Sequence, residues 1–95
     1  MKLDPKAYGL PPRTHLEKLE DSTIGLVIDR KSRIIMTDGK KILEKSKSIF
    51  LIAPSTQVVL VTTAPICSKT KLFLEESGIA VKKINALQDI LLVPI

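Results

Sequence analysis

Cysteine and aromatic residues are scarce in this chain. Its 95 residues hold one cysteine, Cys67, no tryptophan, and only Tyr8, Phe50 and Phe73 as aromatics. A lone cysteine cannot close an internal disulfide, so the disulfide-stapled secreted class is excluded and a reducing cytoplasm is the expected setting. Few aromatics also means no stacking platform of the kind that reads single-stranded bases. Long apolar runs are missing as well. The longest, IFLIA at 49–53 and VVLV at 58–61, fall far short of the roughly 20 residues that span a bilayer, so no membrane partner is expected. The opening residues MKLDPKAYGLPPR contain no apolar core of a signal peptide. Four glycines and six prolines are too few for a fibrous or low-complexity chain, and no internal repeat is visible. Amides are limited to Gln57, Asn85 and Gln88 while lysine is abundant, a thermophile tendency.

Catalytic signatures are equally absent. There is no GxGxxG, GxxxxGK[ST], HExxH or GxSxG, and no paired-cysteine zinc pattern. Asp29 and Asp38 have no acidic partner at a spacing that would hold Mg²⁺. No catalytic residue, cofactor or metal ligand is therefore assigned, and a non-enzymatic module is the expectation.

What is present is an aliphatic core. Hydrophobic residues make up 44% of the chain, almost all Ile, Leu, Val and Ala, a composition suited to sheets packed on helices. Pro5, Gly9, Pro11 and Pro12 mark residues 1–12 as an extended arm, with a single domain over 13–95. The stretch RTHLEKLED from Arg13 reads as a short helix, because Leu16 and Leu19 lie three apart. Thr23–Asp29 alternates as a strand, and Arg33–Thr37 reads as its hairpin partner across Arg30-Lys31-Ser32. Asp38-Gly39 is a candidate helix start, Lys40–Ser48 an amphipathic helix, and Ile49–Ala53 a strand stopped by Pro54. Gln57–Thr63 reads as a central strand covered on both faces. Ser68 is the candidate N-cap of a helix closed by Gly78, and Ile79–Ile84 returns as a strand parallel to Gln57–Thr63. A short turn or helix at Asn85–Asp89 leads into the tail. The fold class is a small two- or three-layer α/β domain, with an N-terminal β-hairpin, a C-terminal β-α-β unit and a mixed sheet.

Charge is the feature that points to a function. The net charge is +5, and the excess is concentrated: residues 21–50 hold seven Lys or Arg against four Asp or Glu, a net of +3. The seven are Arg30, Lys31, Arg33, Lys40, Lys41, Lys45 and Lys47, candidates for contacts with nucleic-acid phosphates; the plainer reading is a solvated face. A second candidate is the helix start Ser68-Lys69-Thr70-Lys71, where free N–H groups, hydroxyls and two ammonium groups suit an anion. Against it stands an ordinary serine cap with two solvated lysines. Cys67 precedes that start, where a thiol can be activated, although a small buried apolar role is the expectation.

The Val58–Ile84 segment is loosely similar to the second half of the kink-turn-binding ribosomal proteins, which also run strand, helix, parallel strand. Their RNA-reading Gly-x-Asn-Glu helix start has no counterpart here; the nearest site is Thr37-Asp38-Gly39-Lys40, so no residue roles are carried over. The expected function is binding of a polyanion, most simply nucleic acid, through residues 30–47. The alternative is a homodimer or partner-binding module that uses the apolar tail Ile90-Leu91-Leu92-Val93-Pro94-Ile95.

Overall fold

The computed structural model describes residues 2–92. Five strands form one sheet: β1 (Lys2–Leu3), β2 (His15–Glu20), β3 (Thr23–Ile28), β4 (Gln57–Thr62) and β5 (Ala80–Lys83), in spatial order β1-β2-β3-β4-β5. β1, β2 and β3 are antiparallel neighbours, whereas β3, β4 and β5 run parallel. Each parallel pair needs a crossover, supplied by α1 (Met36–Ile52) and α2 (Ser68–Glu76). The small α/β domain with a mixed sheet, a hairpin and a terminal β-α-β unit is thus observed.

Both helices lie on one face of the sheet. Ile42 and Ile49 of α1 and Leu74 of α2 share a buried cluster with Leu16, Leu26 and Leu60. The opposite face carries a smaller cluster of Val27, Val59, Val61 and Ile84, with Leu19 and Ala80 against it. Because β4 feeds both clusters, Val58 through Val61 are all buried, as a strand covered on two sides requires.

Several local readings are corrected. The 13–21 stretch is not helical but contains β2; Leu16 and Leu19 face opposite sides of the sheet, and a register shift between Lys18 and Glu20 leaves Leu19 unpaired. The three-residue spacing that mimics a helix is a bulged strand. Gly25 makes room for it, since a Cβ there would sit 3.0 Å from Leu19 Cδ1. The hairpin is therefore β2–β3 around Asp21-Ser22, not Thr23–Thr37. In the second half of the expected hairpin, Ile34 makes only an isolated parallel bridge to Ile66, and the chain enters α1 at Met36. The expected strand Ile49–Ala53 is the last turn of α1, whose inward stripe continues through Ile42, Ser46 and Ile49. Pro54 ends the helix by disfavouring helical geometry at Ala53.

Residues 2–12, expected as an arm, fold against the domain. β1 pairs with β2, Pro5–Tyr8 forms a 3₁₀ turn capped by Asp4, and Leu10 is buried in the main cluster. At the other end, Gly78 takes φ +85 after α2, as its C′ role requires, and a 3₁₀ segment covers Leu87–Leu92.

Candidate functional site

Parallel strands with helices between them bring strand carboxyl ends and helix N-termini to one edge, where open α/β sheets bind ligands. Here that edge gathers the ends of β3, β4 and β5 and the starts of α1 and α2. Thr62 ties it together: its buried hydroxyl donates to the Ile28 carbonyl at 2.8 Å and accepts from the Ala64 N–H at 3.0 Å. Thr63 N–H continues the ladder to the Ile28 carbonyl at 3.2 Å, and Ile84 N–H bonds the Thr62 carbonyl at 2.9 Å. The two helix entries are laced in turn, Ile34 N–H to the Pro65 carbonyl at 2.8 Å and Cys67 N–H to the Ile34 carbonyl at 3.0 Å. Between the strand ends lies a crevice of about 640 Å³, with Asp29, Lys31, Thr63, Pro65, Asn85 and Leu87 in its wall.

The seven basic residues do not act alike. Arg30 is folded inward: its guanidinium donates to Asp38 Oδ2 at 2.6 Å and to the carbonyls of Arg33 at 3.1 Å and Ser32 at 3.2 Å. It staples the 29–35 loop to α1 and has little donor capacity left for a phosphate. Asp38, at the third position of α1, also accepts from the Ile35 N–H at 3.0 Å. That is half of a capping box; Ile35 has no side-chain acceptor to complete it. The Arg30 guanidinium, and after it the Ile35 N–H, hold the Asp38 carboxyl below its ordinary pKa.

Lys31 and Arg33 are exposed on the loop before α1. Lys40, Lys41, Lys45 and Lys47 lie on the helix, spread over about 160° of its outward arc at 100° per residue. Glu44 sits within the same arc and pairs loosely with Lys47 at 3.6 Å, an exposed contact worth little. Lys41 and Lys45 also border an open groove of about 460 Å³ between α1 and Gly9-Leu10-Pro11. The four helix lysines thus share one outward arc of α1, and Lys31 and Arg33 are exposed on the loop that enters it.

The second candidate is arranged differently from its sequence reading. Cys67, not Ser68, occupies the N-cap position of α2. The N–H groups of Lys69 and Thr70 and, at longer range, the Arg33 guanidinium hold the partly exposed Cys67 thiol below its ordinary pKa. The first-turn donors expected to meet an outside anion therefore face a sulfur. Ser68, Lys69 and Lys71 are exposed, whereas Thr70 is fully buried, its methyl against Gly39 of α1. Among the described residues the Thr70 hydroxyl makes no ordinary hydrogen bond. The structure separates this turn into two outward lysines and one inward threonine. Cys67 is only partly buried and holds the N-cap position without a side-chain cap hydrogen bond, so the buried apolar role expected for it is not observed.

Sequence reasoning weighs Asp29 only as a metal ligand and does not pick out Thr63 or Asn85, although Asp29 and Thr63 directly follow β3 and β4 and Asn85 lies two residues past β5. Aligning the ends of parallel strands would have collected them at one edge. Among the described residues no group of three or more His, Cys, Asp or Glu could hold a metal ion, and no helix is long and apolar enough to cross a membrane. In comparisons with protein-family models, curated proteins and solved structures, none matches this chain.

Proposed function

We infer that this chain is a non-enzymatic module that binds a polyanion, nucleic acid, with phosphates running along the outer face of α1. The observation that carries the reading is the stripe: Lys31 and Arg33 at the helix entry, then Lys40, Lys41, Lys45 and Lys47 on the outward arc. The positive end of the α1 dipole lies beside the loop pair and adds to the attraction. Contacts of this kind recognise the backbone and not the base sequence. Arg30 is left out of the interface because Asp38 already neutralises it.

Anisotropy titrations against a labelled duplex and a single strand, each over a range of salt, test the reading. Each phosphate neutralised contributes about 0.9 to the slope of log affinity against log salt on duplex DNA. Replacing Lys40, Lys41, Lys45 and Lys47 together by Ala is expected to flatten that slope by about 3.6 units if each meets one phosphate. An unchanged slope removes α1 from the interface.

A second reading, self-association, is favoured by the end of α1, where Phe50, Leu51 and Ile52 are 36%, 85% and 54% exposed. The apolar tail first considered for this role rests on side chains outside the described residues. Sedimentation of the intact chain and of Leu51→Ser tests it: a dimer made monomeric by the substitution supports the reading, and a monomer at high concentration ends it.

A further inference from the structure

We propose that the crevice at the carboxyl edge of β3, β4 and β5 is a second binding site, distinct from the α1 lysines though it shares Lys31 with the stripe, for a phosphorylated sugar with a vicinal diol. Its wall holds two opposite unmet demands. The Thr63 hydroxyl donates to Asp29 Oδ1 at 2.7 Å, which orients the carboxylate. The other oxygen, Oδ2, has no hydrogen bond among the described residues. A carboxylate only accepts, so it calls for a ligand that donates. Asn85, exposed on the same wall with no side-chain hydrogen bond among the described residues, offers both donors and an acceptor.

The Lys31 ammonium is the opposite demand. It has no carboxylate within ion-pairing distance among the described residues, and Arg30 beside it is already neutralised by Asp38 at 2.6 Å. Pro65 and Leu87, the latter 39% exposed, add apolar wall between these polar groups, suited to the C–H face of a sugar ring. A simple anion satisfies Lys31 but is repelled by Asp29, and a neutral sugar satisfies Asp29 and Asn85 but leaves Lys31 alone. A ribose phosphate meets all three, its cis-diol donating to Asp29 Oδ2 and exchanging hydrogen bonds with Asn85 while its phosphate takes Lys31. The volume of about 640 Å³ lies within the usual range for small-molecule sites, about 300 to 1,000 Å³. The same chemistry comes from a free nucleotide or from the 3′-terminal nucleotide of an RNA.

The test is an amide NMR titration of the intact chain with ribose 5-phosphate, 2-deoxyribose 5-phosphate, ribose and inorganic phosphate. Ribose 5-phosphate is expected to shift Asp29, Lys31, Thr63 and Asn85, and to bind at least tenfold more tightly than the other three. Lys31→Ala and Asn85→Ala alter exposed side chains, so the fold is retained; each is expected to weaken ribose 5-phosphate at least fivefold, and Asp29→Asn to remove the preference over the deoxy sugar. Inorganic phosphate binding as tightly as ribose 5-phosphate, or shifts confined to other residues, overturns the proposal. Adenosine monophosphate and a short RNA with either a free or a phosphorylated 3′ end then distinguish the two sources. The variant lacking the four α1 lysines separates this site from the nucleic-acid reading: it is expected to lose duplex binding while keeping ribose 5-phosphate.

Discussion

Replacing Gly39 by Ala puts the packing of α1 on α2 to a direct test. In an unobstructed helix interior the change stabilises by about 0.8 to 1 kcal/mol, because alanine loses less backbone entropy than glycine. Here the added Cβ would stand 2.7 Å from Thr70 Cγ2 and 3.5 Å from Phe73 Cδ2. Carbon atoms rest about 3.5 to 4.0 Å apart, so Thr70 or its helix has to move by nearly an ångström. Thr70 cannot give way easily, being 0% exposed and β-branched, with few rotamers open to it in a helix. Overpacking of this kind costs about 1 to 3 kcal/mol, which outweighs the propensity gain. Gly39→Ala is therefore expected to destabilise by about 1 kcal/mol, near 1 M in urea midpoint for a chain of this size. Thr70→Ser removes the clashing methyl while keeping the hydroxyl, so in the double variant the alanine is expected to recover its advantage. The cycle is read by urea denaturation of the four proteins, with a coupling of about 1 to 3 kcal/mol. If Gly39→Ala stabilises the chain whether residue 70 is threonine or serine, the helices do not approach as described and the reasoning fails.

Asp38→Ala removes the acceptor shared by Arg30 and the Ile35 N–H, and is expected to cost about 1 to 2 kcal/mol by denaturant titration. Because the folded-state pKa of Asp38 is depressed, its contribution is present above the unfolded value near 4 and is lost as pH falls through the folded value. Stability of the native chain is thus expected to fall more steeply than that of the variant in acid, and parallel curves would dismiss the staple. Cys67 is expected to be alkylated by iodoacetamide with a pH midpoint below that of free cysteine, since its thiol is held down by the first turn of α2. A profile matching free cysteine in the native chain refutes the hold of the first-turn N–H groups on the thiol.

The class of the fold was legible from the chain alone because its strongest signals are local. Four consecutive apolar residues, Val58 to Val61, between the turn signals at Pro54 and Pro65 fit a strand buried on both faces, and Gly78 ends α2 because glycine takes that φ without strain. The loop 30–33 and the amphipathic pattern of 40–48 likewise announced exposed charge. Ambiguity began where short apolar spacings fit two periods. Leu16 and Leu19 suit a helix turn as well as a bulged strand, and only pairing with β3 decides between them. Ile49–Ala53 has the composition of a strand, yet α1 carries through it because Ile49 completes the stripe begun at Ile42. The start of α2 lies one residue earlier than the preference for a serine cap suggests, with Cys67 at the N-cap position in place of Ser68.

Partnership between distant residues belonged to the tertiary structure alone. Counting basic residues made Arg30 the equal of Lys31, but eight residues downstream Asp38 occupies its guanidinium and leaves Lys31 exposed. Asp29 and Thr63 stand 34 positions apart and meet at 2.7 Å only because β3 and β4 run parallel and end together. Composition and periodicity act over a few residues and determined β3, β4, β5, the middle of α1, α2 and the charge, but not β1, β2 or the ends of α1. Which side chains neutralise one another and which are left facing a crevice depends on strand order and helix approach, and those are settled by packing across the whole domain.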